Sequence, residues 1–213
     1  MTEYKDIDII EGFQFDALKI RTEIEAAAVA AGLSAMDTQL NIFHREGTIE
    51  ARQQFLAFNG SLHPDKNRTG ILVHESEFNI IHPLLKGSYT EEVCAIIKQR
   101  AIDDGVKLGR VRLLGLNPKS CYSWHTDPDN VRYHIPLKTF VEAFFVVDEG
   151  VYRMPDEGKL YTIASAKWHT AVNAAFNKRR VHLVFDTYTS DTENPYETTL
   201  EDAATRFDTN NIY

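Results

Sequence analysis

The residues best suited to chemistry lie in one run, Trp124-His125-Thr126-Asp127-Pro128-Asp129-Asn130-Val131-Arg132-Tyr133-His134-Ile135-Pro136-Leu137. In an extended segment, side chains two apart point the same way. His125 and Asp127 can therefore reach one metal ion from one strand end, and Arg132 and His134 can look into one cavity. A lone His-x-Asp is a weak signal, and it equally suits a surface loop in which Asp127 caps a turn ahead of Pro128. Three later features add weight. His169 lies 42 residues beyond Asp127, within Lys167-Trp168-His169-Thr170-Ala171-Val172-Asn173. Arg180 opens the strand-like run Arg180-Val181-His182-Leu183-Val184-Phe185-Asp186, where Val181, Leu183 and Phe185 form an apolar face and Arg180, His182 and Val184 the opposite one. An arginine facing an interior is costly unless it meets an anion, and its planar fork suits a carboxylate held at two points. Arg179 points to the other face. The third feature is the order of the pieces. Two imidazoles and a carboxylate on one face of iron leave three positions open for a co-substrate and dioxygen. Spacing alone leaves the second imidazole open between His169 and His182, the latter equally suited to line the pocket as a hydrogen-bonded partner.

Other residues carry blander readings. Tyr122, Trp124 and Trp168 flank the candidate site and are expected as core or rim aromatics. His44, His63, His74 and His82 show no ligand spacing and are expected to be structural. Cys121 has no evident base beside it, so a packed thiol is expected, and Asp129 with Asn130 reads as turn chemistry. Two competing functions have specific objections. A binding or sensor barrel with a metal but no turnover has no need of a dicarboxylate cradle. A zinc hydrolase needs a general base, and no Glu follows His125 or His169 at a suitable position.

Short elements are expected to position these groups. Ala17, Ile20, Ile24, Ala27, Ala28 and Ala31 recur at helical spacing, with Gly32 where a cap belongs. A second helix is expected from a cap at Thr90, with a stripe of Val93, Ile96, Ile97 and Ala101 that ends at Asp103-Asp104-Gly105. Leu40 to Phe43 and Gly70 to Val73 read as short strands. After Gly105 come strand-like runs at 108–116, 132–137, 143–148, 151–154, 160–164 and 180–188, separated by turns such as Pro155-Asp156-Glu157-Gly158. Many short strands favour a sandwich or barrel over a parallel sheet. The expected class is α+β, with helices in the first half supporting a jelly-roll-like, cupin-like barrel in the second. One domain is expected over 1–213: a mixed support region at 1–105, the β core at 106–188, and a polar tail at 189–213 with one helical turn near Leu200 to Arg206.

Bulk properties agree with that picture. The 213 residues are 43% hydrophobic and 25% charged, ordinary for a packed domain. The net charge of −8 is uneven, because the stretch from Thr187 onward holds six acidic residues and one basic residue. An acidic balance argues against a nucleic-acid partner. No apolar run is long enough for a membrane span, and the start, Met1 to Asp6, lacks the pattern of a secretory signal. With only Cys94 and Cys121, a disulfide framework is not expected and a cytoplasmic location is.

From about Val111 to Asp186 the chain resembles the aspartyl/asparaginyl β-hydroxylase family of 2-oxoglutarate/Fe(II) dioxygenases, which includes free-proline hydroxylases. The carrying pieces are His125-Thr126-Asp127, then Arg132 to Leu137, then Trp168-His169, then Arg180 to Asp186. The resemblance implies a double-stranded β-helix, with His125 and His169 as iron ligands; its order favours His169 over His182. Some animal members lack the acidic ligand, whereas Asp127 is present here. Arg132, His134 and Arg180 are implied to hold 2-oxoglutarate. The implied reaction hydroxylates an unactivated C–H of an amino acid or peptidyl residue and yields succinate and carbon dioxide. The first hundred residues lie outside the resemblance and are the expected seat of substrate choice.

Overall fold

The computed structural model describes residues 5–34, 39–46, 51–55, 75–127 and 131–189. Along the chain these form β1 (Ile7–Gln14), α1 (Ala17–Ala30), β2 (Gln39–Asn41), β3 (Phe43–His44), α2 (Ala51–Phe55), β4 (Ile80–Ile81) and α3 (Tyr89–Asp103). The remaining strands are β5 (Lys107–Leu116), β6 (Ser120–Cys121), β7 (Arg132–Lys138), β8 (Ala143–Val147), β9 (Gly150–Tyr152), β10 (Lys159–Ile163), β11 (His169–Asn173) and β12 (Arg180–Tyr188). The expected strand at Gly70 to Val73, the turn near Leu200 and residues His63, His74, Asp129 and Asn130 lie outside the described residues.

Two antiparallel sheets carry the site. The larger has the order β1-β10-β7-β12-β5-β2 and the smaller β6-β11-β8-β9; β3 and β4 form a separate pair. Alternation along the central strands sorts their side chains. Val181, Leu183 and Phe185 of β12, Tyr133 and Ile135 of β7, and Val111 and Leu113 of β5 join Ile20, Ile24 and Ala28 of α1 and Val93 and Ile97 of α3 in the main core. The helices thus cover the outer face of the large sheet. The opposite face meets the small sheet through Leu116, Tyr161, Ile163, Phe145, Val147 and Ala171. This is the two-sheet layout of a double-stranded β-helix. The first hundred residues add more than helices, because β1 and β2 are the edges of the large sheet.

Several local expectations are corrected. The cap of α3 is Ser88, whose hydroxyl accepts from Glu91 N at 3.3 Å; Thr90 is the second residue of the helix and is buried. Ile96 is 45% exposed, and Cys94 takes its place in the buried stripe with Val93, Ile97 and Ala101. Positions 93, 97 and 101 lie four apart on one face, which turns Ile96 aside. Cys121 is exposed, contrary to the packed thiol expected, because β6 is a two-residue edge strand. Gly32 adopts φ +74, and Leu33 N donates to Ala28 O at 2.9 Å, closing α1 with a left-handed cap.

Glu23 of α1 fastens the two helices together. Its carboxylate accepts from Tyr89 N at 3.2 Å, Thr90 N at 2.8 Å and the Thr90 hydroxyl at 2.7 Å, serving donors that a helix start leaves unpaired. Burial opposes the charge, but these bonds outweigh it and lower the Glu23 pKa. The folded state therefore favours ionised Glu23, and this contribution is present at neutral pH and lost as pH falls through the folded-state value. Glu23→Gln is expected to lower unfolding free energy by about 1 kcal/mol at pH 7. Urea titrations at pH 7 and in acid should show the difference shrinking; equal stability at pH 7 would remove this role.

Candidate metal and co-substrate site

The backbone brings the candidate ligands together. His125 and His169 form an isolated antiparallel bridge, with His125 N donating to His169 O at 3.1 Å and His169 N to His125 O at 2.9 Å. Residues directly opposite in such a pair present their side chains to the same face, and the two rings lie 4.4 Å apart. Asp127 N donates to Ser165 O at 2.9 Å, which returns Asp127 to that face. Its Oδ2 lies 3.4 Å from His169 Nε2 and 3.7 Å from His125 Nε2.

The donor set has the chemistry a metal ion needs. Nδ1 of His125 lies 2.7 Å from Ser123 O and Nδ1 of His169 lies 2.9 Å from Lys167 O. A carbonyl can only accept, so each Nδ1 carries the proton and each Nε2 presents a lone pair inward. Burial lowers the His125 pKa despite the nearby Asp127, which favours the neutral, ligating ring. Burial works against ionisation of Asp127, yet Arg132 and the two histidines hold its carboxyl well below the usual range. One donor atom from each of His125, Asp127 and His169 falls within 4.8 Å of the others. Cis ligands about 2.1 Å from an ion stand about 3 Å apart, so small adjustments suffice. His182 is elsewhere: its Nδ1 lies 3.4 Å from Nδ1 of His134. Both of those rings are fully enclosed, and burial, followed by the Arg180 charge, holds their pKa values well below normal. Burial thus favours the neutral ring in both, and the pair can share a hydrogen bond when one Nδ1 carries the proton.

Arg180 lies deep in the same interior. It is 1% exposed, its Nε and Nη1 have no hydrogen-bond partner, and its guanidinium lies 4.6 Å from the Phe145 ring centre. Burial pulls its pKa down to about 10. Among the described residues no carboxylate pairs with it. A buried guanidinium lacking an anion is an unfilled requirement, and its side chain faces the interior that also holds His134 and His182. Arg179 is directed elsewhere, its guanidinium occupying the space a Cβ on Gly115 would need.

Arg132 differs from Arg180. Its Nη1 meets Asp127 Oδ2 at 2.6 Å and its Nε meets Asp186 Oδ1 at 2.6 Å. Asp186 also binds Arg112 Nη2 at 2.7 Å and Arg110 Nε at 3.3 Å. These partners were missed in the sequence, although alternation on β12 points Asp186 the same way as Arg180 and His182. Tyr122 packs at the edge of the inner core, while Trp124 and Trp168 are 51% and 58% exposed and form the rim. Buried His44 and His82 lie outside the site; His82 Nε2 lies 2.9 Å from Ala51 O and its ring stacks on Phe55.

The family model for aspartyl/asparaginyl β-hydroxylase matches residues 86–190, from just before α3 to just beyond β12. Over those residues the chain is similar to this hydroxylase family. The match spans every residue of the candidate site and leaves β1, α1 and β2 outside. No curated protein sequence matches the chain. Among solved structures, it is similar to an oxidoreductase of the 2OG-Fe(II) oxygenase family from Burkholderia pseudomallei, at 15% identity and a TM-score of 0.44, over 55% of this chain and 62% of that one. The chain thus spans less than two thirds of that protein's length. It is also similar to a truncated viral collagen prolyl hydroxylase from Paramecium Bursaria Chlorella virus-1, at 11% identity and a TM-score of 0.47, over 86% of this chain and 89% of that one. A cupin domain from Bordetella pertussis Tohama I aligns at 16% identity and a TM-score of 0.33, over 39% of this chain and 94% of that one. Among the described residues no helix is long and apolar enough to cross a membrane.

A divalent ion bound here stabilises the folded chain by mass action. Mn(II) at a hundred times its dissociation constant is expected to add about 2.7 kcal/mol, read as a rise in Tm. His169→Ala should abolish the rise and His182→Ala should keep it; the opposite pattern would exchange their roles.

Proposed function

We propose that this chain is an Fe(II)- and 2-oxoglutarate-dependent dioxygenase that hydroxylates an unactivated C–H of an amino acid or peptidyl residue. The observation that carries the reading is Arg180: a buried cation that meets no acid among the described residues, in the interior flanked by three candidate metal-ligand donors. A metal alone would not require it, whereas a dicarboxylate that also binds the metal would.

In this reading His125, Asp127 and His169 hold iron, with both histidines held in their tautomers by Ser123 O and Lys167 O. Bound Fe(II), with dioxygen and 2-oxoglutarate, would supply the oxidising chemistry, giving succinate, carbon dioxide and hydroxylated product. Arg180 binds the distal carboxylate of 2-oxoglutarate, and Phe145 beneath its guanidinium helps exclude water. His134 contributes a polar contact to the co-substrate, and its ring is steadied by His182. Arg132 is the other expected contact, made from a guanidinium already anchored to Asp127 and Asp186. The enclosed interior raises the worth of each charged contact, since water does not screen it. A small amino acid or short peptide is the favoured substrate class.

Succinate release should be measured with Fe(II), 2-oxoglutarate and a panel of amino acids and peptides, with mass spectrometry for one added oxygen atom. Asp127→Ala is expected to end substrate-dependent succinate formation; undiminished turnover would sink the ligand assignment. Arg180→Ala removes a charged hydrogen-bond partner and should raise the 2-oxoglutarate requirement roughly 10- to 100-fold. An unchanged requirement would move the anion-binding role to another residue. A protein that binds metal and 2-oxoglutarate but oxidises nothing on the panel would favour the binding-module reading.

A further inference from the structure

We propose that Asp186 is a positioning residue for the metal site, acting through Arg132 to aim the carboxylate of Asp127. The inference rests on the metal-site reading above and adds a residue two contacts away from the ligands.

The first contact is Asp127 to Arg132. The backbone of Asp127 is tied by its N–H to Ser165 O, but that bond leaves the carboxylate free to turn, since its terminal torsion is broad. Arg132 Nη1 at 2.6 Å from Oδ2 restrains that torsion, on the oxygen that also approaches both ligand histidines. The second contact holds Arg132 itself. A long arginine has high rotamer freedom, and Asp186 Oδ1 at 2.6 Å from its Nε fixes the guanidinium at its inner end. Asp186 is itself immobile: it is 1% exposed and clamped from the adjacent strand by Arg112 and Arg110. Register explains the alignment. Phe185 pairs with Tyr133 and with Val111, so Asp186 follows in β12 between Arg132 of β7 and the arginines of β5. The Thr187 hydroxyl donates to Val131 O at 2.5 Å, fixing the chain as it enters β7.

Charge works in the same direction as geometry. Arg132 stands between two carboxylates, so neither receives the whole of its pull. With Asp186 in place, Asp127 is oriented while keeping negative charge to offer an ion. With a neutral residue at 186, Arg132 would bind Asp127 undivided and bring more positive charge beside the incoming metal. Both effects weaken metal binding, and both pass through Arg132. A residue that merely stabilises the fold would lack that dependence.

The test is a double-mutant cycle on metal affinity, free of turnover. Co(II) binding is titrated by absorption and calorimetry in the full chain, in Asp186→Asn, in Arg132→Gln and in the double variant. Asp186→Asn is expected to lower Co(II) affinity roughly 10- to 100-fold, the range for groups that orient metal ligands. In the Arg132→Gln background the same change should cost no more than about twofold, within ordinary additivity error. An equal loss in both backgrounds, or no loss in either, overturns the proposal. If Asp186→Asn does not fold, Arg132→Lys is the second variant. It keeps the charge but lacks a planar fork able to span both carboxylates, so a tenfold or greater fall in Co(II) affinity is expected, and unchanged affinity overturns the proposal. Failure of the wild-type chain to bind Co(II) would instead sink the metal-site reading itself.

Discussion

Among the described residues, four arginines are buried on the inner face of the large sheet, and compensating them organises what surrounds them. Arg110, Arg112, Arg132 and Arg180 are each at most 9% exposed. A charge removed from water is tolerated only when paired. Asp186 meets three of the four, and Asp127 shares Arg132. The fourth, Arg180, meets no carboxylate among the described residues. The same rule therefore explains a rigid ionic cluster at one end of the interior and an anion-seeking cation at the other. The helices make this affordable: α1 and α3 seal the outer face of the large sheet with an apolar core, so its polar residues are confined to the inner side.

The sequence was most legible where alternation was strict. On β12 the apolar residues at 181, 183 and 185 predict the helix-covered face, and the polar ones at 180 and 182 predict the inward face. His169 against His182 was not decidable from spacing, because both lie on strands downstream of Asp127 and both are buried. What brings His169 rather than His182 beside His125 is backbone pairing between segments 44 positions apart, and local pattern carries no record of such long-range pairing. Asp186 could have been recognised, since it continues the inward series on β12, but its partners Arg110 and Arg112 read only as part of an apolar-looking strand. β1 went unread because Ile7 to Gln14 mixes acidic and apolar residues without clean alternation and pairs with β10 at an edge. Thr90 was mistaken for a cap because two acidic residues follow it, whereas Ser88 supplies the oxygen and Glu23, distant in sequence, supplies the rest.

The family and the site answer different questions. The match over residues 86–190 is to a hydroxylase family, but a fold hosts many chemistries, and function has to be argued from particular atoms. Here the atoms are an inward lone pair on each of two histidines, a carboxylate held ionised, and a buried guanidinium that meets no carboxylate among the described residues. The residues outside the match, β1, α1 and β2, bear on the site only through the large sheet and its covering core. They stabilise the wall on which the charged cluster stands without contributing a ligand.

The reciprocal backbone bonds between His125 and His169 have a consequence for what a substitution at either position can disturb. The two rings are held opposite one another by main-chain hydrogen bonds, and Asp127 by its own bond to Ser165. The bridge is made by main-chain atoms, which every residue but proline supplies in full. A substitution at either histidine therefore removes a ring while leaving the backbone frame that presents that position.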